Sequence, residues 1–390
     1  MTTDSAPTTS QQAGPVALSA RALGPDLARG FMLLFIALAN SHYFLRGDSY
    51  RGGFPVGGSG LDSAVTWATS TFVDGRAFPM FGLLFGYGVA HIVRRNEDLG
   101  RWPLRKLLWR RSLVLIVVGF LHCMLLYTGD ILAAYGMLLL LGAWAVRWKD
   151  RWLFVVAALF FLLACFPAID GATIDTAGPD QAMLSPDLLT QLGERIVVQP
   201  LIMFLGPIGF ACPFLIGLWA GRRKILERPE QYAVLLRWVA AIGIGAAVIG
   251  AQPAALLAAG AASAPSDDAL SWFSPMHDAT GILGGFGYAA LIALVAGRLS
   301  RQPDGERGWL VTAIAATGQR SMTCYLAQSV VWALVFTPYL LDLSDDLSVT
   351  ANALLAASTW FGTVLLADLM HRRDYRGPFE LLVRKVTYRR

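Results

Sequence analysis

Long apolar runs alternate with short polar junctions from about residue 30 to residue 370. A helix needs about 20 apolar residues to cross roughly 30 Å of hydrocarbon, and fewer if its flanks snorkel. Runs of that order fall at 29–46, 76–93, 112–129, 131–147, 152–169, 199–221, 232–261, 279–298, 319–341 and 348–370. The pattern predicts an all-α, polytopic membrane helix bundle of about ten transmembrane helices, built as a single domain over residues 21–390. Residues 61–75 are expected to form an interfacial or re-entrant lead into the second span. Residues 308–319 are expected as a short in-plane helix that bends at Gly318 into the ninth. Residues 1–20 are rich in Ser, Thr, Ala and Gln and hold no Lys or Arg, which predicts a disordered cytoplasmic tail rather than a secretory leader.

The basic residues fix the threading. They gather at every second junction: Arg94 to Arg111, then Arg147 to Arg151, Arg222 to Arg237, Arg298 to Arg307, and the C-terminal tail from Arg372. The opposite junctions hold only Arg46, Arg51, Arg76 and Arg195. Cytoplasmic loops carry the Lys and Arg excess in membrane proteins, so both termini are expected inside. The longest predicted outer loop, 169–198, is acidic, with Asp170, Asp175, Asp180, Asp187 and Glu194. It reads either as a partial lid over an outward cavity or as a solvated linker.

Composition agrees with the pattern. Hydrophobic residues make up 55% of the chain and charged residues 15%, with a mean hydropathy of +0.51. Ordinary soluble domains carry about 25% charged residues. The sequence pI near 9.1 does not imply nucleic acid, because the positive charges border spans and orientation accounts for them. Cys123, Cys165, Cys212 and Cys324 sit in apolar runs without CxxC spacing and read as small buried residues, not as a disulfide framework or a metal site. Gly82 and Gly86, and Gly281, Gly284, Gly285 and Gly287, form small-residue faces that suit close helix packing.

Polar residues inside spans are costly and tend to mark pathways or sites. Here they are Asn40 and His42 at the outer end of span one, Asp74 and Arg76 opening span two, and His122 within span three. Asp130 follows at the outer turn, His277 and Asp278 open span eight, and Gln319, Arg320 and Gln328 lie on span nine. Most of the ionisable members fall toward the outer half, so Asn40, Asp74, Arg76, Asp278, Arg320 and Gln328 are candidates for lining a substrate cavity. His122 is the candidate general base, with Asp130 as its orienter, and His42 is the alternative base. Eight helical residues turn about 80° past two full turns, so His122 and Asp130 need not share a face. A histidine hydrogen-bonded to a neighbouring helix is the plainer reading of His122. P-loop, GxGxxG, HExxH and GxSxG signatures are absent, and no metal ligand set is expected.

Four local patterns together resemble one family. They are Asp26-Leu-Ala-Arg29-Gly30 leading to Asn40, and Phe81-Gly-Leu-Leu-Phe85-Gly86. The third joins Arg110-Arg111, Gly119 and His122 to Gly129-Asp130-Ile131-Leu132 and Tyr135. The fourth is Gly318-Gln-Arg-Ser-Met-Thr323-Cys-Tyr325-Leu-Ala-Gln328-Ser329, followed by Gly377-Pro378-Phe-Glu380 and Arg384. From about residue 21 onward the chain resembles the YeiB-like bacterial membrane family of unknown function. That family is more distantly similar to the transmembrane acyltransferases, including the heparan glucosaminide acetyltransferase. The resemblance implies residence in the bacterial cytoplasmic membrane.

It also implies a possible reaction: an acyl group moves from cytosolic acyl-CoA, a co-substrate rather than a bound cofactor, to a small-molecule or glycan acceptor at the outer face. Arg29, near the cytoplasmic side, would then meet the phosphates of the acyl-CoA; its plainer reading is an interfacial anchor. The bacterial sugar O-acyltransferase branch has a histidine at the position of Asn40, and here His42 stands about 200° further around a helix. Cys324, Leu381 and Val383 depart from the family pattern without bearing on chemistry. A small-molecule transporter or exporter is the alternative, suited by Pro200, Pro207 and Pro213 within one span. A non-catalytic scaffold is a third reading. The lipid bilayer is the one partner that composition demands.

Overall fold

The computed structural model describes residues 22–166, 174–175, 178–301 and 307–388, so the tail expected over residues 1–20 lies outside the described residues. The chain is a bundle of α-helices: α1 (Leu23–Ser41), α2 (Gly60–Phe72), α3 (Ala77–Arg95), α4 (Arg101–Leu125), α5 (Leu132–Gly142), α6 (Asp150–Leu163) and α7 (Leu188–Arg222). It continues with α8 (Ala233–Ala258), α9 (Asp267–Leu270), α10 (Phe273–Leu299), α11 (Trp309–Gln319), α12 (Ser321–Phe336), α13 (Val349–Arg372) and α14 (Pro378–Thr387). Three two-residue strands, β1 (Tyr50–Arg51), β2 (Phe54–Pro55) and β3 (Ile174–Asp175), pair antiparallel with β1 in the middle. Seven of the described helical segments are long and apolar enough to cross a membrane. The protein is a multi-pass membrane protein.

The expected spans map onto α1, α3, α4, α5, α6, α7, α8, α10, α12 and α13, with three informative differences. α5, α6 and α12 are short, at 11, 14 and 16 residues. α7 is long: its 35 residues begin at Leu188, so the second half of the expected outer loop is helix, capped by the Asp187 carboxylate on the Thr190 N–H at 2.9 Å. Residues 167–173 and 176–177 of that loop lie outside the described residues, and with them most of the lid reading. The expected bend at Gly318 falls instead at Arg320 (φ −116°, ψ 30°), which separates α11 from α12.

Residues 61–75 resolve into α2 and a tight turn. Ser59 and Asp62 form a capping box: Ser59 Oγ accepts from the Asp62 N–H, and Asp62 Oδ2 accepts from the Ser59 N–H at 2.9 Å. The other Asp62 oxygen takes the N–H and hydroxyl of Thr350 at 2.8 and 2.6 Å, which ties α2 to the start of α13.

Lipid gives helices no hydrophobic reason to associate with each other, so close backbone approach has to supply the packing. α3 lies along α7 and α8 along α10. Gly86 and Gly217 carry the first contact, because a Cβ on Gly86 would strike the Phe214 carbonyl and one on Gly217 the Leu83 carbonyl. Gly243 against Gly287 does the same for the second pair. Packing is thus the observed role of the small-residue faces. The main core joins α1, α3, α10 and α12 through Met32, Leu33, Met80, Leu84, Ala293 and Cys324.

Candidate functional site

The site lies where α1 and α4 end and α3, α5 and α10 begin, at the end of the bundle away from the Arg-rich junctions. α4 stops at Leu125, and the chain turns back before α5 begins at Leu132. That reversal overcomes the 80° offset expected for a continuous helix and brings Asp130 to His122. Asp130 Oδ1 lies 2.8 Å from His122 Nδ1, and both side chains are 1% exposed. Gly119 makes room for the pair, since a Cβ there would stand 2.5 Å from Asp130 Oδ2. Asp130 also accepts the backbone N–H groups of Leu132 (3.1 Å) and Ala133 (2.7 Å) at the start of α5. These donors hold it as an acceptor, so His122 Nδ1–H donates to Oδ1 and the lone pair falls on Nε2. Nε2 is buried and has no hydrogen-bond partner. The rings of Tyr325 and Tyr127 pack around the imidazole, with centroids at 5.0 and 6.3 Å.

Beside this pair lies a cavity of about 320 Å³ lined by Asn40, Tyr43, Asp74, Gly75, Phe78, Phe81, Ile131, His277 and Asp278, among others. Ile131 directly follows Asp130 in the chain. Tyr43 lines the cavity, and the adjacent Phe44 packs at 5.5 Å on Tyr127, one of the rings around His122. Gly75, at φ +72°, makes the turn that admits His277; a Cβ there would stand 2.7 Å from the imidazole Cε1. A second hollow, of about 380 Å³, is lined by Arg46, Asp48, Tyr50 and Asp345. Its Arg46 is ion-paired with Asp342 and Asp345, and none of the polar groups just described reaches it.

Arg76 is fully buried but does not line the cavity. Its guanidinium donates to the Asp74 and Ala247 carbonyls and to His277 Nε2 at 2.6 Å. The same Nε2 lies 3.1 Å from the Ser70 carbonyl, an acceptor, so it sits between a donor-only and an acceptor-only group, while Nδ1 faces Asp278 Oδ1 at 3.6 Å. Arg76 therefore supports the wall of the cavity from behind.

The structure brings Asn40, Asp74 and Asp278 to one cavity and pairs His122 with Asp130. It does not bring the remaining candidates there. His42 follows the last turn of α1 in a short 3-10 turn and lies flat against Phe54 of β2, with centroids 3.8 Å apart and planes at 6°. Neither of its ring nitrogens makes a hydrogen bond of normal geometry, although the Leu38 carbonyl acts on the ring. Arg320 sits at the α11–α12 break and donates to the Tyr375 and Ala316 carbonyls at 2.9 and 3.2 Å, far along the chain's fold from the outer groups. Gln328 donates to the Leu33 carbonyl at 3.4 Å within the helix core. Arg29 bridges to Asp26 at 3.2 Å and donates to the Leu84 carbonyl at 3.2 Å; it lines neither hollow.

Several contributors carried no distinguishing signal in the sequence. Tyr43, Phe78, Phe81 and Tyr325 look like ordinary core aromatics, and only the fold reveals which of them face a cavity. Arg195, counted as an outer-loop charge, is buried on α7, where it donates to the carbonyls of Ala182 (2.8 Å) and Cys123 (3.0 Å) and so ties α7 to the end of α4. Among the described residues, no group of three or more His, Cys, Asp or Glu side chains has the geometry to hold a metal ion.

Residues 220–390 match the family described as "Protein of unknown function (DUF418)". Over nearly its whole length the chain is similar to the uncharacterized protein YxaH of Bacillus subtilis (strain 168). The two are 25% identical over 407 residues, covering 93% of each chain. It is also similar to an uncharacterized 39.9 kDa protein in the amylase 3' region of Bacillus acidopullulyticus, 25% identical over 388 residues and 96% of each chain. A third relative is the uncharacterized protein YeiB of Escherichia coli (strain K12), 25% identical over 387 residues, 93% of this chain and 95% of the other. The chain thus resembles YeiB-like proteins along nearly its whole length, as its motifs led us to expect. None of these names states a reaction.

Proposed function

We propose that the protein is a transferase of the bacterial cytoplasmic membrane that moves an acyl group from acyl-CoA to a small acceptor held in the outer cavity. The observation that carries this reading is the His122–Asp130 pair, with Nε2 buried and unpartnered. An oriented imidazole with an open lone pair is the arrangement a general base requires. In the reaction, Nε2 takes the proton from an acceptor O–H or N–H as the new C–O or C–N bond forms. The thioester C–S bond breaks, and the departing thiolate takes that proton back from the imidazolium. Both reactants are neutralised and His122 is restored. Asp130 holds the tautomer throughout.

The donor would approach from the cytoplasmic end, where its phosphates would compete with Asp26 for Arg29. The outer cavity would admit the acceptor. Reconstituted full-length protein supplied with a panel of acyl-CoA donors should release free CoA thiol in an acceptor-dependent way. His122→Asn should abolish that release. Absence of both hydrolysis and transfer across the panel would overturn the reading. A transporter reading rests on the same cavity, and substrate flux into proteoliposomes without any acyl donor would replace transfer with transport.

A further inference from the structure

The cavity's chemistry is unbalanced in one direction. Asp74 and Asp278 both line it, and among the described residues neither has a Lys or Arg within ion-pair distance. The buried Arg76 gives its donors to two carbonyls and an imidazole, and although it lies close enough to feel both carboxylates, a single guanidinium behind the wall offsets only one of the two negative charges. His277 Nδ1 faces Asp278 at 3.6 Å. Asp74 Oδ1 is engaged only by the adjacent Gly75 N–H at 2.9 Å, and Asp278 is 53% exposed on its side chain. The rest of the wall is aromatic or amide: Tyr43, Phe78, Phe81 and Asn40. Carboxylates in partly desolvated surroundings favour a cation, and aromatic faces attract ammonium groups by their quadrupole. Asn40 adds a carbonyl acceptor for an N–H. Ile131 of this wall directly follows Asp130, which holds the His122 imidazole, so the cavity abuts the histidine pair without His122 itself lining it.

We infer that this cavity binds the ammonium group of a small amine, with Asp74 and Asp278 as the charge partners and Tyr43, Phe78 and Phe81 as the surrounding faces. As a statement about the acceptor this rests on the transfer reading; as a statement about binding it stands without it. The same chemistry could come from a soluble amine or from the headgroup of an aminophospholipid.

Calorimetric titration of the full-length protein in nanodiscs tests the inference with tetramethylammonium, choline and ethanolamine as probes. 3,3-Dimethylbutan-1-ol, the uncharged carbon isostere of choline, and sodium chloride serve as references. At least one ammonium should bind about tenfold or more tightly than the isostere. Asp74→Asn and Asp278→Asn, both nearly isosteric, should each weaken it by about tenfold, whereas Asp48→Asn at the other hollow should leave it unchanged. His122→Asn should retain ammonium binding while losing transfer, so failure of the transfer reading and failure of this one look different. Repeating the titration with phosphatidylethanolamine in place of phosphatidylglycerol identifies the source. Competition with the probe assigns a lipid headgroup, and no competition assigns a soluble amine. Equal binding of the isostere, equal displacement by sodium, unchanged binding in both carboxylate variants, or no binding by any ammonium would overturn the proposal.

Discussion

The two ends of the bundle differ in how their inward-facing charge is used. At the Arg-rich end several carboxylates are tied: Asp26 to Arg29, Glu227 to Arg94, Asp150 to Arg222 and Arg223, and Asp368 to Arg372. Glu380 of α14 caps the first turn of α12, accepting the N–H groups of Met322 (3.0 Å) and Thr323 (3.1 Å). At the other end Arg46 ties Asp342 and Asp345, but no Lys or Arg lines the cavity that Asp74 and Asp278 face, and His122 keeps a bare nitrogen. The first arrangement anchors helices. The second leaves capacity for something the chain itself does not supply. Buried polar groups are normally satisfied, so an oriented histidine with an unpartnered nitrogen beside a carboxylate-lined cavity points to a role beyond stability.

The largest expected effect separates the ends by activity. His122→Asn should lower acyl transfer by about 10²–10⁴-fold, the usual range for a general base, with little change in melting temperature. Asp130→Asn should lower it as well, because it removes the charge that orients His122 while keeping one acceptor oxygen for the start of α5. A stability loss as large as the activity loss would erase the contrast. At the anchoring end the effect should be on folding. Arg94→Ala removes the donor to Glu227 and to the Gly221 carbonyl and should cost about 1–3 kcal/mol, read by chemical denaturation in detergent.

The same ion pair predicts a pH dependence. Burial pushes the Glu227 carboxyl up, but hydrogen bonds and charge from His91 and Arg94 outweigh it and hold it down at about 2. A carboxyl depressed on folding contributes stability above its unfolded value, and that contribution is lost as pH falls from about 4.5 through about 2. Arg94→Ala should flatten this part of the stability profile, and an unchanged profile would remove Glu227 from the anchoring group. The smallest effect is expected at His42, which lies within the outer end yet outside its cavity. His42→Phe keeps the stack on Phe54 and should change activity and stability little, by less than about 1 kcal/mol.

These contrasts also mark what was legible in the sequence. Helix-forming runs and basic junctions are properties of composition along the chain, so the bundle and its spans could be read directly. Asn40, Asp74 and Asp278 could be grouped because helix ends on the same side of a membrane must be neighbours. The His122–Asp130 contact could only be suggested, because it depends on a chain reversal after Leu125 that no local rule specifies. Arg76, Arg320 and Gln328 were expected in the cavity because buried charge usually marks a site. In the fold they donate to backbone carbonyls, with one Arg76 N–H on His277, and so join helices, a structural use that looks identical in sequence. His42 and Asn40, two residues apart, part company because α1 ends at Ser41.

Two packed neighbours, α6 and α7, differ greatly in length. At 1.5 Å per residue, the 14 residues of α6 span about 21 Å and the 35 of α7 about 52 Å. α6 shows lipid an apolar flank of Phe154, Val155, Leu159 and Leu162, begun by Trp152. A bilayer of roughly 30 Å meets a helix that short by thinning, by snorkelling of flanking side chains or by a neighbour covering the flank, whereas α7 exceeds the hydrocarbon thickness. The mismatch between the two helices gives this flank of the protein a sensitivity to lipid chain length.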